Sequence, residues 1–175
     1  MGLFGVALLL ARVCFALGRG RRGVVLALIT AVVAWLPVGG IPVAGYVRGA
    51  VGDLSMTTLV LLGFGFVATV GRRERRALTA LIAACAVLLY PMALGLGAFD
   101  PYRLGYAPRG LLLGLLVIAV VAWWRQLHVL LGCVLVAVAA HALSLCESTN
   151  LWDYVLDPWV AVASIYDLWS LRRNS

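Results

Sequence analysis

Apolar runs of membrane-spanning length alternate with short polar breaks along nearly the whole chain. They cover 2–17, 23–45, 54–70, 77–98, 107–146 and 151–171. A stretch of about 20 apolar residues matches a bilayer's hydrocarbon core, about 30 Å thick at about 1.5 Å per helical residue. The run 107–146 is twice that length and must fold back on itself. Trp123-Trp124-Arg125-Gln126-Leu127-His128 supplies the tight turn. The pattern predicts an all-α, polytopic integral membrane helical bundle of six to seven transmembrane helices with short loops, a single transmembrane domain over 1–175. Two runs are weaker than the rest. Segment 2–17 is short and contains Arg12, and it can instead lie flat or re-enter. Segment 151–171 carries Asp153, Asp157, Pro158 and Asp167. It spans only if shielded by neighbours; otherwise it lies in the interface, anchored by Trp152, Trp159 and Trp169.

The string Gly71-Arg72-Arg73-Glu74-Arg75-Arg76 orients the other segments. Each arginine in hydrocarbon costs about 2.5–3.5 kcal/mol, so the hexapeptide is expected to be a short loop. Arginine-rich short loops stay on the cytoplasmic side. Alternating from there puts Arg19, Arg21, Arg22, Arg72, Arg73, Arg75, Arg76, Arg125, Arg172 and Arg173 inside. Only Arg48, Arg103 and Arg109 fall outside, and Arg12 lies within a span. Loop 71–76 is then cytoplasmic and loops 46–53, 99–109 and 147–150 are extracytoplasmic, in what is expected to be a bacterial inner (plasma) membrane.

Glycines and prolines place the breaks within the runs. Pro37, Gly39, Gly40 and Pro42 interrupt the outer third of 23–45. The helix there is expected to end near Leu36 and pass into an interfacial loop, since proline removes a backbone bond and clashes with the preceding turn. The alternative is unwound backbone lining a wet cavity. Pro91, Gly95 and Gly97 soften the outer end of 77–98. Asp53, before the third run, and Asp100, followed by Pro101, read as helix N-caps. Gly110 and Gly114 form a GxxxG, a close-packing face for another helix.

Composition closes off a soluble reading: 64% of the 175 residues are hydrophobic and 12% charged, with a mean hydropathy of +1.05. Globular domains run nearer 45–50% apolar and about 25% charged. A net charge of +7 would suggest nucleic acid in a soluble chain; here the topology accounts for it, and no nucleic-acid partner is expected. The expected partners are the lipid bilayer and another membrane protein or a second copy of the chain. Cys14, Cys85, Cys133 and Cys146 form no CxxC pair and read as small buried hydrophobes. No GxxxxGK[ST], HExxH or GxSxG occurs, so no cofactor is assigned.

The acids show the opposite bias to the arginines. Asp53, Asp100, Glu147, Asp153 and Asp157 lie at outer helix ends, leaving Glu74 and Asp167 elsewhere. Helix capping covers Asp53, Asp100 and Asp153. Glu147 and Asp157 lack that reason. If 151–157 is helical, Asp153 and Asp157 share a face at i, i+4 and repel unless a cation answers them. Arg48, Arg103 and Arg109 lie on the same side. His141, within the sixth run, is an ionisable group in apolar surroundings and joins this outer-face cluster as a functional candidate; a neutral, hydrogen-bonded histidine is the bland alternative. Three strings, GDLSMTT, GAFDPYRLGY and STNLWDYVLDP, stand out as signatures at these outer ends. The leading functional expectation is a small accessory or assembly subunit of a cell-envelope membrane system. A dimeric transporter or flippase of a lipid or sugar-linked substrate is the second. A divalent-metal-dependent enzyme acting on lipid phosphates, with Asp153, Asp157 and Glu147 as oxygen ligands, is the third.

Overall fold

The computed structural model describes residues 2–18 and 20–173; Arg19, counted above among the inner arginines, lies outside them. Among the described residues the protein is all-α. The longer helices follow the apolar runs: α1 (Gly2–Gly18), α2 (Gly20–Val33), α4 (Met56–Val67), α5 (Arg72–Ala93), α6 (Arg109–Trp124), α7 (His128–Ala142) and α9 (Pro158–Arg173). Two short helices, α3 (Val43–Val51) and α8 (Leu151–Val155), a 3-10 turn at Pro101–Gly105 and a minimal β-hairpin complete the set. Among the described residues α5 is the one helix long and apolar enough to cross a membrane, whereas α1, α4, α6 and α7 are apolar but shorter. The helices stop short of the apolar runs because caps, glycines and prolines end them: α5 closes soon after Pro91, ahead of the left-handed Gly95.

The chain forms two compact units, residues 1–54 with 59–69, and residues 55–58 with 70–175. In the first, α1 and α2 pack along each other about a glycine turn. Gly20 takes φ +53°, and a Cβ on Gly23 would sit 2.5 Å from the Phe15 carbonyl oxygen. Val6, Ala7, Ala34 and Ala44 form the core, flanked by Leu3, Leu10 and Val47. Arg12 lies between aromatic faces, its guanidinium carbon 5.6 Å from the ring centres of both Phe15 and Phe66. A cation–π sandwich of this kind answers the charge without a carboxylate.

The interfacial loop expected after Leu36 is instead a hairpin and a helix. β1 (Pro37–Val38) pairs antiparallel with β2 (Ile41–Pro42), and Gly39 and Gly40 turn the chain with positive φ at both positions, as a two-residue hairpin requires. The Ala44 amide then donates to the Ala34 carbonyl at 2.9 Å, and the Tyr46 hydroxyl to the Val38 carbonyl at 2.8 Å. Most of the expected outer loop 46–53 is helix α3. Two-residue strands have no periodicity to read, and the charge and glycines of 46–53 masked a short helix.

In the second unit α5 packs on α9, α6 on α7, and α7 on α8, while the 3-10 turn touches α5, α6 and α8. The arginine string is not a loop, because α5 begins at Arg72 with Gly71 as its N-cap residue. Arginine is a good helix former, and avoiding hydrocarbon does not require an irregular backbone. One helix end projecting past the apolar part suffices. The two acids at this end are both engaged. Glu74 Oε1 accepts from the Val129 amide at 2.6 Å and the Leu130 amide at 3.3 Å, capping the first turn of α7, whose own N-cap residue, Leu127, makes no side-chain bond. Arg75 grips Asp167 of α9 through two nitrogens, Nε at 2.7 Å. The inner turn falls where expected, between α6 and α7, with Gln126 at φ +58°.

Replacing Gly23 with valine should push α1 and α2 apart and cost about 1–3 kcal/mol, the usual range for overpacking. Gly49→Ala, where a Cβ meets nothing within 4 Å, should be neutral or slightly stabilising. Thermal melting of the two purified variants in detergent checks the contrast, and equal melting temperatures would refute the glycine-turn account.

Candidate functional site

Asp157 belongs to the second unit. It is 3% exposed and lies in the break between α8 and α9, where Leu156 is extended. Its Oδ1 accepts from the amides of Trp159 at 2.8 Å and Val160 at 2.9 Å, so Asp157 is the N-cap of α9 and Pro158 its first residue. Its Oδ2 accepts from the Ser55 amide at 2.9 Å and the Ser55 hydroxyl at 2.8 Å, and from the Thr58 hydroxyl. Ser55 is itself the N-cap of α4, its Oγ accepting from the Thr58 amide at 3.2 Å. One carboxylate thus joins two helix caps. Five donors answer it, and none belongs to an arginine. Among the described residues no arginine answers Asp157, and amides and hydroxyls satisfy the carboxylate instead.

The strings STNLWDYVLDP and GAFDPYRLGY interlock beside it. Asn150, fully buried, caps α8 by accepting from the Trp152 amide at 2.9 Å. Its amide nitrogen donates to the Tyr102 carbonyl at 3.0 Å. Trp152 Nε1 donates to the Pro101 carbonyl at 3.0 Å. Asp153 accepts from the Tyr102 hydroxyl at 2.8 Å and the Ser148 hydroxyl at 2.5 Å. Burial first, then the bond to Asp153, pushes the Tyr102 phenol well above its ordinary value. Tyr154, fully buried, donates to the Ser148 carbonyl at 3.0 Å. Gly105 has to be glycine, since a Cβ there would collide with the Asn150 side chain.

The expected cluster is therefore distributed. Asp153 and Asp157 do not share a helix face, because α8 ends at Val155, so the repulsion expected between them does not arise. His141 packs edge-on against Tyr154, ring centres 5.2 Å apart, with Nε2 3.3 Å from the Thr149 carbonyl. Glu147 is exposed. Arg103 and Arg109 are exposed, and neither pairs with a carboxylate among the described residues. Arg48 belongs to the first unit, where it holds Asp53 through Nε at 2.6 Å and Nη2 at 2.8 Å. Asp53 is thus an ion-pair partner, and the cap expected of it is Ser55. The hydrogen bond from Arg48 lowers the Asp53 pKa. Asp100 caps the 3-10 turn, accepting from the Tyr102 amide at 3.0 Å, as its pairing with Pro101 predicts. Among the described residues nothing packs on Gly110 or Gly114, since a Cβ on either meets nothing within 4 Å. No group of three His, Cys, Asp or Glu residues suited to a metal ion occurs among the described residues.

Sequence reasoning missed Ser55 and Thr58. Two signals were present: a serine directly before an apolar run is an N-cap pattern, and Asp157-Pro158 repeats the cap-then-proline pairing recognised at Asp100-Pro101. Comparison of the chain with protein-family models, curated proteins and solved structures gives no match.

Substituting asparagine at each acid separates these roles. Asp157→Asn keeps one acceptor for the α9 amides but turns an NH2 toward the Ser55 amide, which cannot rotate away. It should cost about 1–3 kcal/mol. Asp100→Asn should cost a few tenths, asparagine capping about as well as aspartate. Asp53→Asn breaks a half-exposed pair and should cost less than about 1 kcal/mol. Because the Asp53 pKa is depressed, its contribution is complete above the ordinary carboxylate range and disappears as pH falls through the folded-state value. Melting of the three variants across pH checks the order. The gap between the unmodified protein and Asp53→Asn should close at acid pH.

Proposed function

We propose that the protein is a small multi-pass membrane protein of a bacterial inner membrane, cytoplasmic at 71–76, that serves as an accessory or assembly subunit of an envelope system. The observation that carries the subunit reading is the use of the acids. Asp53, Glu74, Asp100, Asp153, Asp157 and Asp167 each cap a helix or hold a side chain of the same chain, and no three acids, histidines or cysteines come together as a metal site among the described residues. A carrier of charged or sugar-linked cargo needs polar groups facing a central site. The cavity of the second unit instead presents hydrocarbon, two thiols, Thr57 and the Trp152 indole.

Support for the membrane reading comes from the apolar skin. Leu28, Val32, Leu113 and Val117 are each more than 60% exposed on helix faces, where a soluble monomer rarely presents contiguous apolar surface. The ten-to-three arginine bias sets the orientation. Helices α1, α4, α6 and α7 run 17, 12, 16 and 15 residues, about 18–26 Å by helical rise. They fit the bilayer by local thinning and by flanking residues that reach the interface, at fractions of a kcal/mol per Å of mismatch.

Cysteine introduced at Ala50, Tyr106 or Thr149 should react with an impermeant thiol reagent on sealed cells, and cysteine at Arg72 should react only after lysis. Labelling of Arg72→Cys in sealed cells overturns the orientation. Native gel mobility of the tagged protein in mild detergent tests the subunit reading: migration in a larger assembly is expected, and migration as a bare monomer contradicts it.

A further inference from the structure

The second unit encloses a cavity of about 110 Å3 that the capped helix ends leave open. Its walls are leucines, isoleucines and valines of α5, α6 and α7, closed toward the outer end by Trp152, Val155 and Leu156. The Trp152 indole nitrogen is already bonded to Pro101, leaving little polarity to hold water. Apolar cavities of roughly this size stay dry and accept apolar guests. Gly114 lines this cavity and is also exposed, which puts the mouth on the face of α6. Gly110 lies one turn above it on the same face, and neither glycine has a neighbour within 4 Å of a Cβ position. Among the described residues the GxxxG face is thus uncovered beside the cavity.

Two arginines lie near this end of α6, off the glycine face itself. Arg109 opens α6, five residues or about 7.5 Å of helical rise above Gly114. Arg103 lies in the 3-10 turn that packs on α6 and α8. Both arginines are exposed and lack a carboxylate partner among the described residues. Apolar walls below and two unanswered guanidinium groups above match an amphiphile with one anionic head and a hydrocarbon tail. We propose that this is a binding site for an anionic phospholipid, with one acyl chain passing over Gly110 and Gly114 into the cavity and the phosphate held by Arg103 and Arg109. The site rests on the membrane reading given above, which sealed-cell labelling tests independently of any lipid measurement.

The test uses the full chain purified in neutral detergent, with native mass spectrometry counting bound phosphatidylglycerol or phosphatidylcholine of identical chains. Phosphatidylglycerol should be retained about tenfold better, consistent with two arginines near an anionic surface. Arg103→Gln with Arg109→Gln should lower it to the phosphatidylcholine level. Gly114→Leu should reduce retention of both lipids, and glycerophosphoglycerol without chains should not compete. Equal retention of the two lipids, undiminished retention in Gly114→Leu, or competition by the free headgroup would each overturn the site. Should Gly114→Leu fail to fold, N-ethylmaleimide decides on the unmodified protein. Saturating phosphatidylglycerol should protect Cys85 and Cys133, which line the cavity, and leave Cys14 of the first unit unchanged. Continued reaction of Cys85 and Cys133 at saturation refutes occupancy.

Discussion

A helix that begins in apolar surroundings has amides with no partner, and a carboxylate there has lost its water. Each is costly alone, and Asp157 resolves both by setting one oxygen on the start of α9 and the other on the cap of α4. The cost of an unpaired buried charge is several kcal/mol, and an unsatisfied buried amide about 1–3 kcal/mol. With all five donors aimed at one carboxylate, neither penalty remains. Within the second unit, residues 55–58 and the start of α9, about a hundred residues apart in sequence, are thereby joined, and the break between α8 and α9 follows from it. If the last segment were one continuous helix, Asp157 would lie inside it and could not cap its start.

Glu74 does the same work at the other end, where its carboxylate supplies the first turn of α7 with the cap that Leu127 cannot. Arg75, on the same turn of α5, reaches Asp167 of α9. The arginine-rich turn is therefore a joint for two other helices. The acids expected at outer helix ends acquire a reason of the same kind. Asp100, Asn150 and Asp157 each cap an element, and Asp153 ties the loop at Ser148 to Tyr102. Polar groups engaged this way specify where the helices begin, which apolar packing alone leaves loosely determined.

A protein that uses its acids to close helix ends has few left for chemistry. What stays unanswered is basic and apolar: Arg103 and Arg109 near the outer end, and a hydrocarbon cavity reached past Gly114. These features are the ones on which the proposed lipid site rests.

Hydropathy by itself determined much of the helical layout. The turn at 123–128, the weakness of 23–45 beyond Leu36 and the cap at Asp100 were all legible, since each depends on residues adjacent in sequence. Tertiary structure alone decided what the polar residues do. Asp157 read as a carboxylate in search of an arginine because its partners, Ser55 and Thr58, are 102 and 99 positions away. Asp53 read as a cap because the ion pair with Arg48 and the cap at Ser55 are equally local, and only geometry chooses between them. Gly110 and Gly114 read as a packing face, and only the tertiary structure shows that no helix among the described residues fills that space. Periodicity records which side of a residue is apolar. It holds no information about which distant donor will meet a carboxylate, because that depends on how the helices come together.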